Sequence, residues 1–128
     1  MKQGLFEIAE NIALTESVYK MRLVGDSSAI TAPGQFVNIK LDGLFLRRPI
    51  SVCDASDDSV TILYKVVGEG TERMSRMQGG VLDVLTGLGN GYDTSLSGDA
   101  PLLIGGGVGV PPLYMLAKKL IAEGKELP

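Results

Sequence analysis

About six short β-like runs, each closed by turn residues, fill the chain as far as residue 98, and their spacing limits the fold more than any other feature. In VYKMRLVG (residues 18–25) Tyr19, Met21 and Leu23 oppose Val18, Lys20, Arg22 and Val24, a two-residue period that gives a strand one buried face. APGQFVNIKLDG (32–43) opens with a Pro-Gly turn, then sets Val37, Ile39 and Leu41 against Phe36, Asn38 and Lys40. GLFEIAENIAL (4–14) alternates in part. RRPISVCD (47–54) and SVTILYKVVG (59–68) flank an ASDDS turn, and VLDVLTG (81–87) follows. ERMSRMQGG (72–80) predicts the one short helix of this half. Strands at this spacing predict a small closed barrel or a sandwich.

After SGDAP the pattern changes. PLLIGGGVGVPPLYMLAKKLIAEG reads as a buried strand, a glycine loop, then a helix with Leu113, Leu116, Ala117, Leu120 and Ile121 on its apolar side and Gly124 at its end. That is the opening of a βαβ unit. The sequence ends at Pro128 before a returning strand, and a complete nucleotide-binding domain takes roughly 100 residues more. The expectation is a piece of a longer protein. Its severed tail (about 101–128) would leave Leu102, Leu103 and Leu116 without neighbours, and would swap, pair with a second chain in a homodimer, or be poorly ordered.

Composition narrows the chemistry. The chain has 128 residues, a formal net charge of −3, one cysteine and no histidine. An acidic balance disfavours nucleic acid as a partner. No apolar run approaches the roughly 20 residues that cross a bilayer, and acidic residues interrupt the N-terminal stretch where a signal peptide would be apolar. A lone Cys53 excludes an internal disulfide and fits a reducing cytoplasm; it reads as a small core or barrel residue rather than a ligand. Without histidine, His-dependent triads and general bases are absent. The chemistry is expected to belong to a bound cofactor.

Three stretches suit an anion. GGGVGVPP (105–112) lies between a strand and a helix, where glycines let amides approach a phosphate and proline suits the first helical turn; the plainer account is a tight turn. GEGTERMS (68–75) puts glycines before a short helix, with Thr71 as candidate N-cap; the plainer account is a capped turn. FLRRPISVCD (45–54) ends an apolar run on two arginines. A guanidinium grips phosphate in a bidentate fork, whereas a surface pair needs no ligand.

Taken in order, LRRPIS (46–51), LYKVVGEGT (63–71), GLGNGY (87–92) and LLIGGGVGVPPLYMLAKKL (102–120) resemble the ferredoxin–NADP reductase superfamily across nearly the whole chain. They are most similar to the branch of electron-transfer subunits of class 1B dihydroorotate dehydrogenase. Glycine stands at position 87, where proline is more usual. The resemblance implies a mainly-β, six-stranded antiparallel Greek-key FAD-binding barrel over residues 1–98, with residues 99–128 opening an incomplete α/β NAD-binding domain. It puts Arg48, Pro49, Ile50 and Ser51 on the flavin, with Arg48 at the FAD pyrophosphate and Ser51 near the ring's redox-active edge. It puts Leu63, Tyr64 and Lys65 on the strand beside the nucleotide, Lys65 standing where many relatives have arginine. Gly70 and Thr71 fall in the second phosphate loop, and Gly105, Gly106, Gly107 and Gly109 in the NAD loop. Arg47 receives no role and is expected on the rim.

The resemblance further implies a flavoprotein subunit that passes electrons between NADH and an FMN-containing catalytic dehydrogenase subunit, through FAD and a [2Fe–2S] cluster, in dihydroorotate oxidation for pyrimidine biosynthesis. The cluster needs four ligands and belongs to the longer protein. Two other readings share these residues: an NAD(P)H:ferredoxin or sulfide-related oxidoreductase subunit, and a non-catalytic flavin- or partner-binding barrel.

Overall fold

Alternation becomes geometry in β2 (Val18–Val24) and β3 (Phe36–Lys40), where Met21, Leu23, Val37 and Ile39 are fully buried and their neighbours in sequence face outward. The computed structural model describes residues 1–128. The other strands are β1 (Lys2–Ala13), β4 (Arg48–Ser56), β5 (Ser59–Lys65) and β6 (Val81–Leu88). All pairs are antiparallel, and the strands close into a barrel in the order β1-β2-β5-β4-β3-β6. Of the two architectures that the alternation allows, the chain adopts the barrel. Closure leaves no free edge. Phe6, Ile62, Val60, Val84 and Val52 join the four residues above in one apolar core.

Gly87 has a φ of +73°, and a Cβ there would stand 2.9 Å from the Ala29 carbonyl oxygen. Proline, locked near −65°, is therefore incompatible with this backbone. The unusual glycine at 87 is a conformational requirement of this chain.

The short helix α1 (Glu69–Ser75) starts earlier and ends sooner than the predicted 72–80. The reason is Thr71. It is not the N-cap; Gly68 is, and Thr71 sits inside the first turn, where its hydroxyl accepts from the Val67 and Gly68 amides at 2.9 and 3.2 Å. That reach-back satisfies donors that a helix start leaves open.

The tail departs from expectation at one end and meets it at the other. No strand forms over 101–104: Leu102 and Ile104 are 66% and 81% exposed, because no strand of the chain runs beside them. The helix does form, as α2 (Pro111–Ala122), with both prolines in its first turn and Gly124 at φ +84° just past its end. It packs on β4 of the same chain. Leu116, expected to lack neighbours, is 8% exposed, and Leu120 is buried with it, whereas Ile121 faces solvent. An ion pair from Lys118 to Asp54 at 2.9 Å adds to this docking. No helix is long and apolar enough to cross a membrane.

Candidate cofactor site

Arg48 opens β4 opposite Ile39 of β3. One of its guanidinium nitrogens donates to the Leu46 carbonyl at 2.6 Å. Its stem runs over Gly70, in the first turn of α1: a Cβ on residue 70 would come within 3.1 Å of Cγ and Cδ and closer still to Nε. The structure thus brings together two residues 22 positions apart that the sequence assigned to separate phosphate loops. Gly70 is buried, and only glycine leaves that space to the arginine. Thr71 is also buried, with its hydroxyl committed to the 67–68 turn, so it shapes the loop rather than offering a free donor.

Along β4 the side chains alternate. Pro49 and Ser51 are exposed on the outer face, whereas Ile50 packs against the core and offers a ligand only its main chain. At Cys53 the pairing with β5 shifts by one residue, a bulge that leaves Cys53 as the extra position. Of the two places expected for it, core or barrel wall, Cys53 takes the second: it is half-buried in β4 and lines a groove on the outside of the barrel. Burial and then the neighbouring Asp54 charge push its thiol above the ordinary value, so it is a poor nucleophile.

That groove has a volume of about 800 Å³. Its walls include Leu63 and Lys65 of β5, Cys53, the β1–β2 turn at Thr15, and Gly106 and Gly107 of the tail. Leu63 and Lys65 reach it because they alternate with Tyr64, whose side chain points the other way. Tyr64 is 3% exposed; its hydroxyl donates to Asn11 Oδ1 at 2.8 Å, and its ring stacks on Tyr19 with centroids 5.8 Å apart. Burial pushes its phenol up to about 12. Of the tail glycines, Gly106 and Gly107 face the groove. Gly105 is packed so close to Leu113 that a Cβ would stand 2.7 Å from Cδ1, and Gly109 closes a 3₁₀ turn (Gly107–Gly109) through its amide to Gly106. A second cavity of about 530 Å³, beside α1 and lined by Lys40, Arg73 and Arg76, shares none of the site residues assigned from the sequence.

Arg47 is not a rim residue. Its guanidinium donates to the Asn38 and Asp83 carbonyls, each at 3.2 Å, and pairs with the Asp83 carboxylate at 3.0 Å. It ties the start of β4 across β3 to β6, a structural role that nothing in the local pattern signals. The two arginines of the motif are thus divided: Arg47 is fully occupied by protein, whereas Arg48 keeps donors in hand.

A flavin dinucleotide asks for a cation at its phosphates, close backbone approach there, and an outer strand face along which to lie. Arg48 over Gly70 meets the first two demands. The outer positions 49, 51 and 53 of β4, with Leu63 and Lys65, supply the third over about 16 Å from Arg48 to Cys53. The residues fit the group. A four-ligand iron–sulfur cluster does not fit a chain with one cysteine and no histidine.

No protein-family model matches the chain. It is similar to the curated dihydroorotate dehydrogenase B (NAD(+)) electron transfer subunits of Bacillus pumilus, 42% identical over 97% of this chain and 52% of that protein, and of Fusobacterium nucleatum, 45% identical over 91% and 49%. It spans about half the length of these relatives. Among solved structures it superposes on the NADH-dependent reduced ferredoxin–NADP oxidoreductase studied for flavin-based electron bifurcation, with a TM-score of 0.85, 32% identity, and coverage of 97% of this chain and 46% of that one.

Proposed function

Because the chain belongs to the ferredoxin–NADP reductase superfamily, we propose that it is the FAD-binding part of a cytoplasmic electron-transfer subunit working between NADH and a catalytic dehydrogenase that oxidises dihydroorotate to orotate. The observation that carries this reading is the contact between Arg48 and Gly70. Arg48 would neutralise the pyrophosphate, its stem held by Gly70 and one nitrogen already anchored on Leu46. Ser51, exposed on the outer face of β4, would hydrogen-bond the ring. Leu63 would supply apolar wall and Lys65 a point charge, without the bidentate fork that arginine would bring. Tyr64 and Ile50 would serve through their main chains. FAD held there would supply the hydride and one-electron chemistry, so these residues need only bind and orient it and no acid–base side chain is required.

The division at 98/99 belongs to the same proposal. Residues 105–109 would form one edge of an NADH site, with Gly106 and Gly107 already at the groove, and the partner subunit would carry FMN. A [2Fe–2S] cluster would be held by residues outside these 128. The 32% identity with the ferredoxin–NADP oxidoreductase favours a second circuit on the same barrel, with a ferredoxin as electron partner.

The test is an absorption spectrum of the purified chain after adding FAD and desalting. Retained flavin absorbance that falls in Arg48→Ala and in Ser51→Ala supports the reading. A folded chain that retains none overturns it.

A further inference from the structure

Asn11 has no part in the reading above, yet it makes three hydrogen bonds in the half-buried space between the barrel and α1. Its Oδ1 accepts from the Tyr64 hydroxyl at 2.8 Å. Its Nδ2 donates to the carbonyls of Met74 at 2.7 Å and Met77 at 2.9 Å. Those carbonyls lie at the end of α1 and in the turn beyond it; the Met74 oxygen also accepts from the Met77 amide at 3.1 Å, and Asn11 adds a donor from β1 to each of the two carbonyls. An amide suits this position because it accepts from a phenol and donates twice to carbonyls at once. Leucine could do neither, and aspartate would accept from Tyr64 but turn a carboxylate toward two carbonyl oxygens.

We propose that Asn11 is a positioning residue for the cofactor's phosphates: by pinning the end of α1 to β1 and β5, it holds Gly70 at the start of that helix against Arg48. The inference rests on the flavin reading of Arg48. Helix α1 has seven residues, about 10 Å of length, and Met74 lies one turn after Gly70. A displacement at Met74 is therefore passed to Gly70 with little loss. The Thr71 hydroxyl closes the 67–71 turn without help from Asn11, so the helix stays folded and moves as a body when the pin is removed. Met74 itself is fully buried in the core, which limits that movement to a tilt about its side chain. Tyr64 orients Asn11 but does not touch α1 through this network.

The test compares FAD with riboflavin, which has the same ring and no phosphate, by fluorescence titration of the whole chain and its Asn11→Leu and Asn11→Asp variants. Hydrogen exchange of the α1 amides is followed in the same proteins without flavin. Both variants are expected to weaken FAD about tenfold, the effect of one misplaced charged contact. Riboflavin affinity should stay unchanged, and α1 should exchange faster while the strands keep their protection. Equal losses of FAD and riboflavin, or unchanged exchange in α1, overturn the positioning role. If Asn11→Leu does not fold, Asn11→Asp decides by the same readouts. A wild-type chain that binds no FAD overturns the flavin reading, and with it the role toward phosphates, while the exchange data still decide whether Asn11 pins α1.

Discussion

The stem of Arg48 lies across Gly70 so closely that a Cβ on residue 70 would overlap it. Gly70→Ala therefore sets two effects against each other. Alanine favours the helix by about 0.5–1 kcal/mol, but it displaces the guanidinium. The expected outcome is a chain as stable as the wild type whose FAD affinity drops about tenfold or more, the range of a lost charge-assisted contact. Thermal melting and flavin titration on the same sample check it. Unchanged affinity would mean that Arg48 does not depend on this packing.

Arg47→Ala should have the opposite profile. The guanidinium joins three strands, so its loss is expected to cost about 1–3 kcal/mol of stability. Flavin affinity of the folded fraction should stay the same. The pH dependence identifies the cause. Burial pushes the Asp83 carboxyl up, but hydrogen bonds from Gln3 and Arg47 outweigh it and hold the group below its ordinary value. A depressed carboxylate stabilises the fold above its unfolded pKa of roughly 3.9 and loses that contribution as pH falls through the folded value. Urea unfolding between pH ~6 and ~2 should therefore show a shallower acid loss in Arg47→Ala than in the wild type.

Local pattern carried the barrel strands because burial there follows a strict period of two: Met21, Leu23, Val37 and Ile39 could be named from their neighbours alone. It misled at Leu102 and Ile104, where an apolar run needs a strand beside it before it can be one. At Cys53 a bulge changed which face the residue meets. The glycine and arginine motifs pointed to Arg48 and Gly70 separately; only closure of the barrel makes them touch. The ties made by Arg47 to Asp83 and by Asn11 to α1 and Tyr64 left no local signal, since these partners lie 36 to 66 residues away.

Helix α2 is held on β4 chiefly by burial of Leu116 and Leu120, with the Asp54–Lys118 pair at the surface. Leu120→Ala should release it: a buried leucine cut to alanine costs about 2–5 kcal/mol, more than a small docked helix can absorb. Lys118→Met should change little, because an exposed pair contributes about 0–1 kcal/mol. Hydrogen exchange over 111–122, with the barrel amides as internal reference, separates the two. Loss of protection in the barrel as well would show that α2 is part of one cooperative unit.

Tyr64 provides a readout in alkali. Its buried phenol titrates at about 12, against an ordinary value of 10.0. The unfolded chain releases this proton first, so stability is fully present below pH ~10 and is lost as pH rises toward the folded value, by at most about 2–3 kcal/mol. Tyr64→Phe removes the titrating group and leaves Asn11 Oδ1 without its donor. The variant should be less stable at neutral pH by about 1 kcal/mol, and should lose less stability than the wild type between pH ~10 and ~12. Denaturant unfolding of the two proteins across that range tests both halves. Parallel curves would mean that the phenol is open to solvent, and that the Tyr64–Asn11 bond is not formed in solution.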